Sequence, residues 1–268
     1  MISLPTEGTG SDPIRVVVLF SGGASGAKFL FEEAGDRDNN YDIVAGLTDN
    51  PEASGVNVFQ GRGLPLKVVD RTGPPGDPGT DKRKEAPYFE KLAEEAGKFE
   101  PDLLLLSGFM RVVRGPLLSE YAGEIINVHP ADLSLEEDGR RKYRGSDTVY
   151  RSIRAGEERI RATVHFVTEE VDAGPLLVLS PPVRIERDMV RSLQRFRQEK
   201  VRDYAEVLQE WMKWSCDGPA ILKALNLIGA GSVRVSGGRT MIKVGDEFTP
   251  GYYDMERGKV IRTGGLHS

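Results

Sequence analysis

The sequence predicts an α/β fold: a doubly wound, mostly parallel sheet, with a mixed second half. Three observations predict it. Short apolar runs such as Ile14–Phe20 (IRVVVLF) and Leu103–Leu106 (LLLL) have the composition of strands buried on both faces. Through residue 130 these runs alternate with segments of helical period, the pattern of βαβ units. After residue 160 strands follow one another with less helix between them, which implies antiparallel or mixed pairing.

Taken in order, residues 1–13 read as a flexible leader, polar and rich in Gly, Ser, Thr and Pro, and unlike a signal peptide. Ile14–Phe20 is the first strand, the loop Ser21–Gly26 breaks it, and a helix starts over Ala27–Ala34. Tyr41–Leu47 and Leu66–Val69 are the next strands, and Arg71–Lys84 is a loop. Tyr88, Leu92 and Ala96 recur at four-residue spacing, so Glu85–Glu100 is an amphipathic helix that ends before Pro101. Leu103–Leu106 and Glu124–Val128 are strands, with a short helix over Pro116–Tyr121 between them. A helix over Asp147–Ala155 precedes strands at Ala162–Val167, Leu176–Leu179 and Val183–Ile185. Met189–Trp214 reads as one long helix. Gly231–Val235 and Thr240–Val244 flank a Gly-Gly turn and read as a β-hairpin. The expected organisation is a main domain over 14–215 and an extension over 216–268 that carries the hairpin and packs on the same domain.

Composition narrows the function classes. Lys plus Arg is 36 and Asp plus Glu is 41, a net charge of −5, which argues against a broad nucleic-acid footprint. The single cysteine, Cys216, excludes an internal disulfide framework and fits a reducing, cytoplasmic compartment. No apolar run is long enough for a membrane span. The expected partners are small molecules, with no metal.

Three segments carry candidate chemistry. Ser21, Gly22, Gly23, Ala24, Ser25 and Gly26 stand between a strand and a helix, where free backbone N–H groups and the helix dipole suit an anion. The loop is neither a Walker loop nor the full dinucleotide fingerprint, so nucleotide hydrolysis and nicotinamide chemistry are disfavoured. Asn127 and His129 end a strand and share one side of it, since side chains alternate. A carboxamide can donate to a developing oxyanion and an imidazole can move a proton. Asp172, in a turn-forming Asp-Ala-Gly-Pro segment, can orient that imidazole and favour its protonated form. His165 reads as structural, Cys216 as an inert thiol, Lys82–Lys84 as a solvated basic loop, and Arg140, Arg141, Lys142 and Arg144 as a charged surface loop.

Taken together, VVVLFSGGASG (16–26), PDLLLLSGFMRVV (101–113), YAGEIINVHPA (121–131) and VHFVTEEVDAGP (164–175) resemble, in order and spacing, the folate-dependent formyltransferase family. The resemblance covers roughly residues 14–205. It implies a Rossmann-like formyltransferase fold and direct transfer of a formyl group from 10-formyltetrahydrofolate to the amine of glycinamide ribonucleotide, in purine biosynthesis. Asn127, His129 and Asp172 match the family's catalytic asparagine, histidine and aspartate. Residues 21–26 match its phosphate loop, and Glu199 lies near its ribose-contacting glutamate. Phe109, Met110, Arg111, Val112 and Val113 match the folate pocket wall, and Thr168, Glu169, Glu170 and Val171 the folate loop. A homodimer is possible on the same resemblance.

The chain also departs from the pattern. Gly26 stands where the family usually has asparagine. Ala131-Asp132-Leu133-Ser134 replaces Ser-Leu-Leu-Pro, and the segment to Gly145 is longer. These changes keep open a different amine acceptor, or a folate- or phosphate-binding relative without catalysis.

Overall fold

The computed structural model describes residues 12–33, 39–70, 82–197 and 199–263. The expected leader at 1–13 therefore lies almost wholly outside the described residues, as does most of the expected loop at 71–84.

The first half is the expected βαβ run. Its elements are β1 (Ile14–Phe20), α1 (Ser25–Glu33), β2 (Tyr41–Thr48), α2 (Gly55–Gln60), β3 (Leu66–Val68), α3 (Lys82–Gly97), β4 (Leu103–Leu106), α4 (Gly115–Glu120) and β5 (Ile125–His129). All these strands pair in parallel. Next come β6 (Glu136–Glu137), β7 (Arg140–Arg141), α5 (Thr148–Ala155), β8 (Arg159–Ile160), β9 (Thr163–Phe166), β10 (Leu176–Leu179) and β11 (Val183–Arg184). The chain then runs through α6 (Arg187–Phe196), α7 (Lys200–Met212), a π-helical turn (Lys213–Asp217) and α8 (Gly218–Gly229). It closes with β12 (Val233–Ser236), β13 (Arg239–Val244), β14 (Glu247–Asp254) and β15 (Lys259–Arg262).

Among the described residues the main sheet has eleven strands, in the order β12-β13-β14-β10-β9-β5-β4-β1-β2-β3, with β15 on β14. Beyond β5 the pairing turns antiparallel at β9 and β10, then parallel again where β14 meets β10. Side chains of β1 and β4 alternate between two buried layers. Val16, Val18 and Leu105 face α1 and α8. Val17, Leu19, Leu104 and Leu106 face α3 and α4. Burial on both faces explains why these strands read as unbroken apolar runs, and each such side chain contributes roughly 1.5–3 kcal/mol. A third cluster joins α5, α6 and α7 through Val149, Ile153, Val190, Val201 and Leu208.

Four expectations change. The long helix 189–214 is two helices, α6 and α7, broken around Arg197, followed by the π-helical turn. The segment after it holds α8, a buried helix whose Ile221, Ala224, Leu225 and Ile228 lie against the sheet. The expected hairpin is β12–β13, but β14 and β15 continue it, and β14 joins the central sheet. Helix α3 starts at Lys82, so 82–84 are helical in backbone rather than loop.

The seam between the C-terminal strands and the rest is closed by charge. The Arg161 guanidinium donates to both carboxylate oxygens of Asp254, at 2.7 and 3.2 Å, and to the Ser180 carbonyl at 2.7 Å. Both partners are nearly buried.

Candidate active site

The site is built on the sheet face that α3 and α4 leave open at β5 and β9. Ile126 and Val164 point into the layer under α8, so alternation turns Asn127, His129 and His165 to the opposite face. Asn127 pairs directly across from His165, and His129 from Thr163. The loop after β9 folds back over this face. Gly174 makes that return possible, because a Cβ there would lie 1.8 Å from the Phe166 carbonyl oxygen. Asp172 takes the left-handed conformation (φ 52°) at the loop's tip.

The three residues singled out as catalytic come together, and His165 joins them. His129 Nδ1 lies 3.5 Å from Asp172 Oδ2, and His165 Nε2 lies 3.5 Å from Asp172 Oδ1. The Asn127 carboxamide nitrogen is 3.2 Å from His165 Nε2. Carbonyls only accept, so two contacts fix the tautomers. His129 Nε2–H donates to the Tyr143 carbonyl at 2.8 Å, and His165 Nδ1–H donates to the Phe166 carbonyl at 2.9 Å. The remaining nitrogens are then His129 Nδ1, turned to Asp172, and His165 Nε2, which in the uncharged ring accepts from Asn127.

Electrostatics differ from the expectation of a protonated imidazole. Burial pushes the His129 pKa down, and Asp172 and the Tyr143 carbonyl only partly restore it. His129 is thus held below its ordinary 6.5, as a base awaiting a proton. Burial also pushes the Asp172 carboxyl up. Its contacts to His165, His129 and the Gly145 N–H outweigh this and bring it down to about 2.

The segment 131–147 is not a plain charged loop. It forms a small hairpin, β6–β7, turned by Asp138-Gly139 with φ of 51° and 71°. From it Arg141 donates to the Asp172 carbonyl (2.7 Å), Arg144 to the Val171 carbonyl (2.6 Å) and to Glu170 (2.6 Å), and Gly145 N–H to the Asp172 carboxylate (2.8 Å). These contacts strap the 168–174 loop over the sheet.

The glycine-rich loop is anchored at both ends. Ser21 N–H donates to the Gly108 carbonyl, and Met110 N–H to the Ser21 hydroxyl at 3.0 Å. Gly26 N–H donates to the Ser107 hydroxyl at 3.0 Å, so Gly26 has no N–H left for an anion. The N–H groups of Gly22, Gly23 and Ala24 have no partner among the described residues, and Ala24 is left-handed (φ 48°). An asparagine at position 26 would require its neighbours to shift, because a Cβ there would lie 2.6 Å from Ile221 Cδ1 and 2.6 Å from Ser107 Oγ.

Of the expected pocket wall, Phe109 and Val113 turn into the core beneath α3 and α4 instead. Met110 is 83% exposed and Val112 39%, so these apolar side chains are the ones open to a ligand. Arg111 Nε is held 2.5 Å from Asp49. Thr168, Glu169, Glu170 and Val171 are exposed on the loop over the site. Glu199 is exposed just before α7, and its carboxylate makes no hydrogen bond or ion pair among the described residues, so it is not drawn into the cluster. Cys216 is buried and donates weakly to the Pro181 carbonyl, and burial pushes its thiol up, in keeping with an inert thiol. Among the described residues no group of His, Cys, Asp and Glu is arranged to hold a metal, and no helix is long and apolar enough to cross a membrane.

Residues 14–208 match the model of the formyl transferase family. The chain belongs to the formyl transferase family. Phosphoribosylglycinamide formyltransferase of Escherichia coli is 27% identical over 165 residues, covering 62% of this chain and 71% of that protein. The trifunctional purine biosynthetic protein adenosine-3 of Bos taurus is 26% identical over 82% of this chain. The chain spans only 19% of that relative's length. The crystal structure of phosphoribosylglycinamide formyltransferase from Anaplasma phagocytophilum superposes with a TM-score of 0.69 at 23% identity, covering 90% of this chain and 98% of that one. That likeness bears out the doubly wound α/β formyltransferase fold.

Proposed function

We propose that the chain transfers a formyl group from 10-formyltetrahydrofolate to the amine of glycinamide ribonucleotide. One observation carries this reading: a carboxamide, an imidazole held as the free base and an ionised carboxylate meet on one sheet face, under a strapped loop. The name of the Escherichia coli relative supports the choice of acceptor.

The substrate amine attacks the formyl carbon, and the carbonyl electrons move onto oxygen. Asn127 has two amide hydrogens. His165 engages one, which leaves the other to donate to the oxyanion. His129 Nδ1 takes a proton from the attacking nitrogen, and the Asp172 carboxylate beside it stabilises the imidazolium. The same proton passes to the folate nitrogen as its bond to the formyl carbon breaks. The Gly22, Gly23 and Ala24 N–H groups would cradle the acceptor's phosphate, and Met110 and Val112 would border the folate.

Mixing the protein with 10-formyltetrahydrofolate and glycinamide ribonucleotide should release tetrahydrofolate. Folate binding without turnover would remove the acceptor. A second reading keeps the chemistry and changes the amine, because the β6–β7 hairpin stands beside the cluster. Turnover of an amino sugar or amino acid, and not of the ribonucleotide, in an acceptor screen would favour it.

A further inference from the structure

A second cleft lies outside the cluster just described. It sits between the β6–β7 hairpin, the start of β10 and the C-terminal strands, and encloses about 360 Å³. That is at the lower end of the 300–1,000 Å³ of small-molecule sites. Arg141, Arg239 and Arg262, from three separate elements, line it, with Glu136 as the one acid in its lining. Tyr252 and Ile261 supply apolar surface. Three cations against one anion leave a local excess of +2 in a chain whose net charge is −5.

The state of these arginines matters as much as their number. Arg141 is already engaged, donating to the Asp172 carbonyl at 2.7 Å. The Arg239 and Arg262 side chains make no hydrogen bond or ion pair with any described residue. Three arginines lining one cleft beside Tyr252 and Ile261 suit a dianion in charge, and a guanidinium fork suits its oxygens.

We propose that this cleft is a second ligand site, which takes a phosphomonoester with an aromatic or apolar body. The excess of +2 selects a dianion over a carboxylate monoanion, and a phosphomonoester carries nearly two charges at neutral pH. The body rests on Tyr252 and Ile261, and Arg239 and Arg262 grip the head. Because Arg141 borders both the cleft and the 168–174 loop, the second site adjoins the backbone that carries Asp172. The inference does not depend on which reaction the first site performs.

The test is a titration of full-length protein with phenyl phosphate, followed by backbone amide NMR shifts. Residues 133–141, 238–240 and 251–263 report on the cleft, and residues 21–26 report separately on the glycine-rich loop. Saturable shifts in the cleft are expected, weakened about tenfold or more in an Arg239→Gln/Arg262→Gln variant that keeps the parent's melting temperature. Inorganic phosphate should bind the cleft more weakly than phenyl phosphate, because it lacks the body. Three results would each overturn the proposal: no saturable shift in the cleft, cleft shifts unchanged by the double substitution, or equal affinity for the two probes.

Discussion

His129 is pulled in two directions, and the balance sets a pH dependence. Burial lowers its pKa while Asp172 raises it, and burial wins. If the free base is the working form, the acid limb of kcat/KM falls below pH 6.5. Asp172→Asn removes the raising influence, so the limb should move to still lower pH while turnover drops by roughly 10²–10⁴. A pH–rate profile of both proteins checks the pair, and a limb that stays put would mean Asp172 does not act through His129. The stability signs follow the same shifts. Asp172, lowered to about 2, stabilises the fold above its unfolded pKa of about 3.9, and that contribution is lost as pH falls toward 2. His129, also lowered, binds protons more readily when unfolded, so its burial costs stability as pH falls below about 6.5.

Among the elements, α8 limits what the glycine-rich loop can contain. Ile221 presses on Gly26 at the start of α1, so Gly26→Asn should destabilise by about 1–3 kcal/mol through overpacking. Adding Ile221→Ala should return part of that loss, measured as a non-additive double-mutant cycle in urea. The β6–β7 hairpin acts on the other side of the site. Arg144→Ala frees the Val171 carbonyl and Glu170, and should raise the KM for the folate about tenfold while kcat changes little. Steady-state kinetics with the folate varied would show it. Much of the site was legible at this scale. Period-two alternation put Asn127 and His129 on one side, and the DAGP segment marked the turn that carries Asp172. The contacts of His165 with Asn127 and Asp172 were not legible, because they depend on the β5–β9 register, which no local pattern records. The hairpin was missed although Asp138-Gly139 is a strong turn signal, because its two-residue strands carry no apolar side chain. Phe109 and Val113 were assigned to the pocket by the family resemblance alone, and no local pattern marked their burial in the core. The break between α6 and α7 carries no Gly or Pro to announce it.

For the whole molecule, the parallel half was readable because its strands are short apolar runs between helices. In the C-terminal half β9, β10 and the β12–β13 hairpin were readable, but the joining of β14 to the sheet was not, because β14 finds its partner β10 only across the intervening α6–α8 helices. Arg161 and Asp254 hold that junction. Burial raises the Asp254 carboxyl, but Arg161 and the backbone N–H groups of Arg257 and Glu256 lower it further than burial lifts it. Asp254→Ala would leave the nearly buried Arg161 with only the Ser180 carbonyl at 2.7 Å and the Glu256 carboxylate at 3.7 Å, at a cost of about 1–3 kcal/mol, which is a fall of several °C in Tm by calorimetry. Activity at low temperature should persist, since neither residue touches the cluster of Asn127, His129, His165 and Asp172.

The parallel partnership of β10 with β14 also has a consequence for biogenesis. A nascent chain emerges from the ribosome in order, so β1, β4, β5, β9 and β10 can assemble while the outer edge of β10 still lacks its neighbour. An uncovered edge of Leu177, Val178 and Leu179 is a template for another chain's strand. A version stopped after Val244 should keep that edge bare and partition into the pellet on expression, whereas adding residues 247–262 back as a separate peptide during refolding should rescue solubility.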